Sequence, residues 1–367
     1  MRFPGFTEEW EIKKLQDVVK INQGLQIMIS ERLIEAEDGA HFYITNEFLK
    51  KSSEKKYFIK NPPSSVLCTE EDILMTRTGN TGMVVTNVSG AFHNNFFKVA
   101  YPETIVKGFL YNFLKLPDTQ KQIIRLAGTS TIPDLNHSDF YNIKFTFPKK
   151  TEQSKIASFV AVIDERIQTQ NKIIEQLKTL ILCFRNQIFS QKIRFKNENG
   201  TDFSEWNEVK IGEILKIGSG KDYKHLQPGN IPVFGTGGLM TLVNDYIYDG
   251  ETVCIGRKGT IDKPMYNNGK IWTVDTLFYT HSFQSCIPKF IFHLFRTINW
   301  LEYNEASGVL SLSKTTIEKI NIQIPSVAEQ IQIATFLCKL DQKIQTEKAI
   351  VKQLVVQKKY LLQQMFI

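Results

Sequence analysis

The chain has 367 residues, a length that argues for two or three domains at about 150 residues each. Its 42% hydrophobic and 23% charged residues suit a globular protein with more than one core, and no apolar run approaches membrane-spanning length. A formal net charge of +7, from 45 Lys+Arg against 38 Asp+Glu, fits a polyanionic partner without requiring one.

The opening Met1-Arg2-Phe3-Pro4-Gly5-Phe6 has no signal-peptide pattern. Cys68, Cys183, Cys254, Cys286 and Cys338 are odd in number, scattered and free of any CxxC pair. Reduced thiols and a cytoplasmic setting are therefore expected, rather than a disulfide framework or a zinc site.

In chain order, a first strand around Lys20-Ile21 ends at Gly24. Asn61-Pro62-Pro63-Ser64 resembles the Asn-Pro-Pro-aromatic motif of adenine methyltransferases, but Ser64 cannot stack on a flipped base, so a turn is expected. Asp72 to Gly82 reads as a strand entering a glycine-rich loop, with Arg77, Thr78, Asn80 and Thr81 able to donate to phosphates or base edges. An ordinary tight turn explains the same residues. His93-Asn94-Asn95 lies between apolar segments, where Asn94 or Asn95 could read adenine or simply make a turn. Ile143 to Phe147 alternates apolar and polar residues and closes at Pro148, the pattern of a half-buried strand. A helix follows at once, with Thr151 as its cap candidate.

The chain then repeats itself. Glu152-Gln153 and Ile156-Ala157 recur as Glu329-Gln330 and Ile333-Ala334, and the same offset of 177 pairs Asp164 with Asp341 and Pro148 with Pro325. A block at offset 196 pairs Trp10 with Trp206, Lys20 with Lys216 and Gly24 with Gly220, so the first half holds about nineteen more residues in its middle. The middles, roughly 25–130 and 221–308, share little. In the second half, Thr252 to Thr260 is the counterpart of the first glycine-rich loop and offers Arg257, Lys258 and Thr260. Lys221 and Lys224, beside Tyr223 and His225, suit backbone phosphates or a hairpin turn equally. Gly218-Ser219-Gly220-Lys221 is no Walker loop, because Asp222 replaces the Ser/Thr that magnesium needs. No catalytic or metal-ligating constellation emerges, and Ser326 with Glu329 has capping-box spacing for the second helix.

Apolar residues in the two helices alternate at three and four. The first frame is Val160, Ile163, Ile167, Ile174, Leu177, Ile181, Phe184 and Ile188, with Gln170 in the polar gap. The second is Leu337, Leu340, Ile344, Val351, Leu354, Leu361 and Met365, interrupted by Glu347 and Lys358. Four heptads of this kind predict a coiled-coil seam, against the alternative of two amphipathic helices on separate cores. Chain order predicts that the helices run antiparallel with one globular body at each end. The expected fold class is α+β: two mixed, β-rich domains separated by two long antiparallel helices in a pseudo-two-fold repeat. The predicted boundaries are 1–150, helix 151–190, 191–325 and helix 326–367.

The doubled Pro-x-x-x-Glu-Gln-x-x-Ile-Ala-x-Phe pattern, followed by an Asp and a heptad helix, resembles the specificity subunits of type I restriction–modification systems. Arg2 to Trp10, the echo in Arg194-Phe195 and Trp206, and the ending Leu361 to Ile367 are similar to that family too. The resemblance implies a non-catalytic DNA-binding subunit that reads an asymmetric bipartite target in double-stranded DNA. It implies two modification (methyltransferase) subunits as partners, restriction subunits able to join them, and no membrane. No cofactor is expected on this chain, since S-adenosylmethionine, ATP and Mg belong to the partner subunits. Glu152, Gln153, Asp164, Glu329, Gln330 and Asp341, repeated on helix faces, become candidates for docking the modification subunits. The rival reading is a scaffold whose coiled coil joins two modules that do not bind DNA.

Overall fold

The computed structural model describes residues 2–50, 53–128 and 131–366. They fall into two compact units, Met1–Gln170 with Ile350–Ile367, and Asn171–Ala349. The division lies inside the long helices rather than at their starts.

In the first unit, one sheet runs in the order Lys20–Gln23, Phe96–Ala100, Ile73–Thr76 and Val84–Val85. A second runs Phe58–Lys60, Ala40–Ile44, Gly90–Phe92 and Leu67–Cys68, with its central pair parallel. Strand Ile73–Thr76 is buried on both faces. Ile73 and Met75 pack with Phe109 and Ile123 of the helices Lys107–Leu114 and Pro117–Ala127, while Leu74 packs with Ile44 and Phe92 of the second sheet. A strand covered on both sides loses its polar alternation, which is why the middles carry so little pattern.

The second unit repeats this plan. Its first sheet runs Lys216–Ser219, Leu277–His281, Thr252–Gly256 and Met265–Asn267. Its second runs Gly238–Val243, Pro228–Gly235, Lys270–Thr273 and Tyr248–Asp249, again with a parallel central pair. The two middles therefore share a strand order that their sequences do not reveal. The expected half-buried strands form as Lys144–Phe147 and Asn321–Ile324, paired antiparallel with Glu11–Lys14 and Asn207–Lys210. The repeated glycines have a packing reason: a Cβ on Gly24 would lie 2.3 Å from the His93 carbonyl oxygen, and one on Gly220 would lie 2.0 Å from that of Val274. At each, the chain leaves one sheet against the backbone of the other.

The long helices span Lys150–Phe189 and Val327–Met365. The first begins one residue before Thr151, which lies inside the helix and is not its cap. Ser326 Oγ accepts from Glu329 N at 3.4 Å, half of the expected box. Every position of both heptad frames is buried or half-buried, Gln170, Glu347 and Lys358 included. In the first unit the start of the first helix (Ile156, Val160) shares a core with the end of the second (Leu362, Met365). In the second unit Ile188 shares a core with Ile333 and Leu337. The helices thus run antiparallel. Each helix end closes a body through an aromatic trio: Trp10, Phe109 and Phe366 in one unit, Trp206, Phe290 and Phe189 in the other.

Candidate nucleic-acid interface

Each central buried strand delivers one arginine at its exit. Arg77 and Arg257 occupy equivalent positions, because each backbone N–H donates at 2.7 Å to the neighbouring loop (Asn95 O, Thr276 O) and each carbonyl accepts at 2.9 Å from Leu135 N or Leu312 N. Glycines carry both turns, Gly79 at φ 85°, Gly82 at φ 87° and Gly259 at φ 85°. Both loops present a half-buried guanidinium on a backbone tied on either side.

Their electrostatics differ. Arg77 forms a bidentate pair with Asp134, Nε to Oδ1 at 3.0 Å and Nη2 to Oδ2 at 2.7 Å, and Thr78 Oγ1 donates to the same carboxylate. The Arg77 hydrogen bond, more than that of Thr78, holds the Asp134 carboxyl below its usual range. In the second unit the bridge equivalent to Thr78–Asp134 is Lys258–Ser311, so a serine stands where the carboxylate would be. Arg257 instead donates to the Asp275 carbonyl at 3.3 Å and lies 5.9 Å over the Phe278 ring, with Lys258 exposed beside it.

The remaining candidates divide. Asn80, Lys221 and Lys224 are exposed, and Thr260 is half-buried. Thr81 is 8% exposed and donates to the Pro133 carbonyl at 2.7 Å, so its hydroxyl is used inside the loop and not offered to DNA. Asn94 donates to Gln26 Oε1 at 2.6 Å while its Oδ1 is buried without a partner. Asn95 donates its backbone N–H to His93 Nδ1 at 3.1 Å, and burial first, then Arg32, pushes the His93 imidazole down to about 4. Asn61 adopts φ 49°, the turn expected of the Asn-Pro-Pro segment.

Four expected docking residues lie elsewhere than anticipated. Glu152 and Glu329 are 2% and 0% exposed and grip Arg2 at 2.6 Å and Arg194 at 2.9 Å. Gln153 accepts from Val106 N and donates to Thr104 O and Pro148 O, and Gln330 does the same with Ile287 N, Ser285 O and Pro325 O. These side chains tie each helix to its body and present nothing to a partner. Asp164 and Asp341 are half-exposed, paired with Lys358 at 2.6 Å and Arg296 at 3.0 Å. The echo of Arg2 in Arg194 was the available signal for the buried pairs, while Asp134 carried none because its counterpart is Ser311.

Among the described residues no group of three or more His, Cys, Asp or Glu could hold a metal ion, and all five cysteines are free. No helix among them is long and apolar enough to cross a membrane. Fold and loops define an internally duplicated α+β protein whose two bodies carry equivalent arginine-bearing loops. The chain belongs to the family described as type I restriction modification DNA specificity domain, whose profile matches residues 7–179 and again 203–355. It is 29% identical over 227 residues to the type I restriction enzyme MjaVIII specificity subunit of Methanocaldococcus jannaschii, covering 59% of this chain and 52% of that protein. Against the MjaIX specificity subunit of the same organism the identity is 24% over 233 residues, covering 59% and 54%. The chain spans about half the length of these relatives. Its fold is similar to the crystal structure of the type I restriction–modification S subunit from M. genitalium, with a TM-score of 0.64 and 20% identity over 100% of this chain and 99% of that one.

Proposed function

We propose that this chain gives sequence specificity to a type I restriction–modification assembly, each unit reading one part of a split site in double-stranded DNA. The observation that carries this reading is the equivalence of Arg77 and Arg257 at the exits of two buried strands of identical topology. Arginine is the side chain best matched to guanine edges and phosphates, and two such loops in one chain fit a bipartite target. The target is asymmetric because the loops differ in charge: Asp134 must release Arg77 before it can bind an acceptor, whereas Arg257 faces no such carboxylate. A half-exposed pair opens at a cost of about 1 kcal/mol or less, so Arg77 remains usable. Thr78, Asn80, Asn94, Asn95, Lys221, Lys224, Lys258 and Thr260 are the surrounding contact set.

In this reading two modification subunits carry S-adenosylmethionine, and restriction subunits bring ATP and Mg. The chain itself performs no chemistry. Asp164 and Asp341 are the parts of the helix faces left for docking, and reversing both is expected to weaken copurification with the modification subunit. Gel-shift titration over a randomised duplex pool, with the modification subunit present, tests the assignment. Selection of a split motif is expected, whereas equal retention of all duplexes, or of none, contradicts it.

A further inference from the structure

Two arginines of the second unit face one cleft with a single carboxylate between them. Arg185, on the first long helix, is 6% exposed, and its Nε has no hydrogen-bond partner. Arg296 lies against Asp341 at 3.0 Å and 5.2 Å over the Phe292 ring. These groups line an open cleft with Tyr266 and Lys348. Exposed Lys178 and Lys263 also reach it, the former paired with Glu175 at 2.7 Å, and Asp262 is its further acid. Five cations against three carboxylates, the Glu175 partner of Lys178 included, leave the cleft positive. The field is felt nearby: burial first, then Arg296 and Arg185, drives the imidazole of His293 down to about 3.

The fold does not demand this arginine. The repeat places Leu362 at the position of Arg185, and Leu362 is 7% exposed in the core of the first unit. Leucine therefore packs where the second unit buries an arginine whose Nε lacks an acceptor, an arrangement that costs stability unless an anion completes it. We propose that this cleft is a binding site for a phosphate group, held by the forked donors of Arg185 with Arg296 beside it. A dianion suits the excess charge better than a lone carboxylate, and guanidinium forks match its oxygens. The site is independent of the loops proposed to read bases.

Isothermal titration of inorganic phosphate into the full chain, without DNA, tests the site. One phosphate per chain is expected, with affinity falling at least about tenfold in Arg185→Leu, the residue its repeat already tolerates. Should that variant not fold, Arg185→Gln provides the same comparison. No phosphate binding by the natural chain, or equal binding by the variant, overturns the proposal. Duplex titration then separates the sources. Unchanged DNA affinity in Arg185→Leu assigns the site to a free phosphate compound. A parallel loss, with phosphate competing against duplex, assigns it to the DNA backbone.

Discussion

At the scale of single residues, Gln153 and Gln330 each satisfy one amide and one carbonyl of the loop that the helix start packs against, and the carbonyl of the proline that precedes the helix. Gln330→Ala should cost about 2–3 kcal/mol, because Ile287 N–H is left without its acceptor. Glu329→Ala should cost a similar 2–3 kcal/mol, less than for a wholly buried pair since Arg194 can still reach water. Chemical unfolding followed by tryptophan fluorescence measures both. His293 makes stability depend on pH. Its folded value of about 3 lies below the unfolded value of about 6.5, so the unfolded chain binds the extra proton between them. Stability is full above about pH 6.5 and falls as pH drops toward 3, by up to about 1.4 kcal/mol per unit. His293→Gln should show a smaller loss in unfolding midpoint between pH 7 and 5.5 than the natural chain, and an equal loss would disprove this origin. None of these roles could be read from residue type. A glutamate and a glutamine early in a helix resemble a solvated face until distant chain is laid across them, Arg2 or Arg194 on the glutamate and the Val106 or Ile287 loop on the glutamine.

The long helices were legible because a repeat and a heptad frame coincide over both, and every frame position is indeed covered. Lys358, an apparent break in that frame, is instead the partner of Asp164. Lys358→Glu should destabilise by about 3 kcal/mol through like charges at one spot, whereas Asp164→Asn with Lys358→Ile should be close to neutral. Thermal melts of the two variants make the comparison. The central strands Ile73–Thr76 and Thr252–Gly256 were legible as runs that enter glycine-rich loops, but the sheets around them were not: buried on both faces, neither strand carries the alternation that betrays one wet side.

For the molecule as a whole, the duplication is deeper than the sequence repeat: segments with little common sequence return the same strand order and the same arginine position. The two loops diverge in what surrounds that arginine, Asp134 in one unit and Ser311 in the other. The proposed reading of a split site predicts that its two halves are separable by mutation. Methylome sequencing of cells expressing this chain with a modification subunit should reveal a split motif. Arg257→Ala with Lys258→Ala should relax one half of that motif and leave the other half unchanged. Loss of specificity in both halves together, or no methylated motif from an intact complex, would contradict the account.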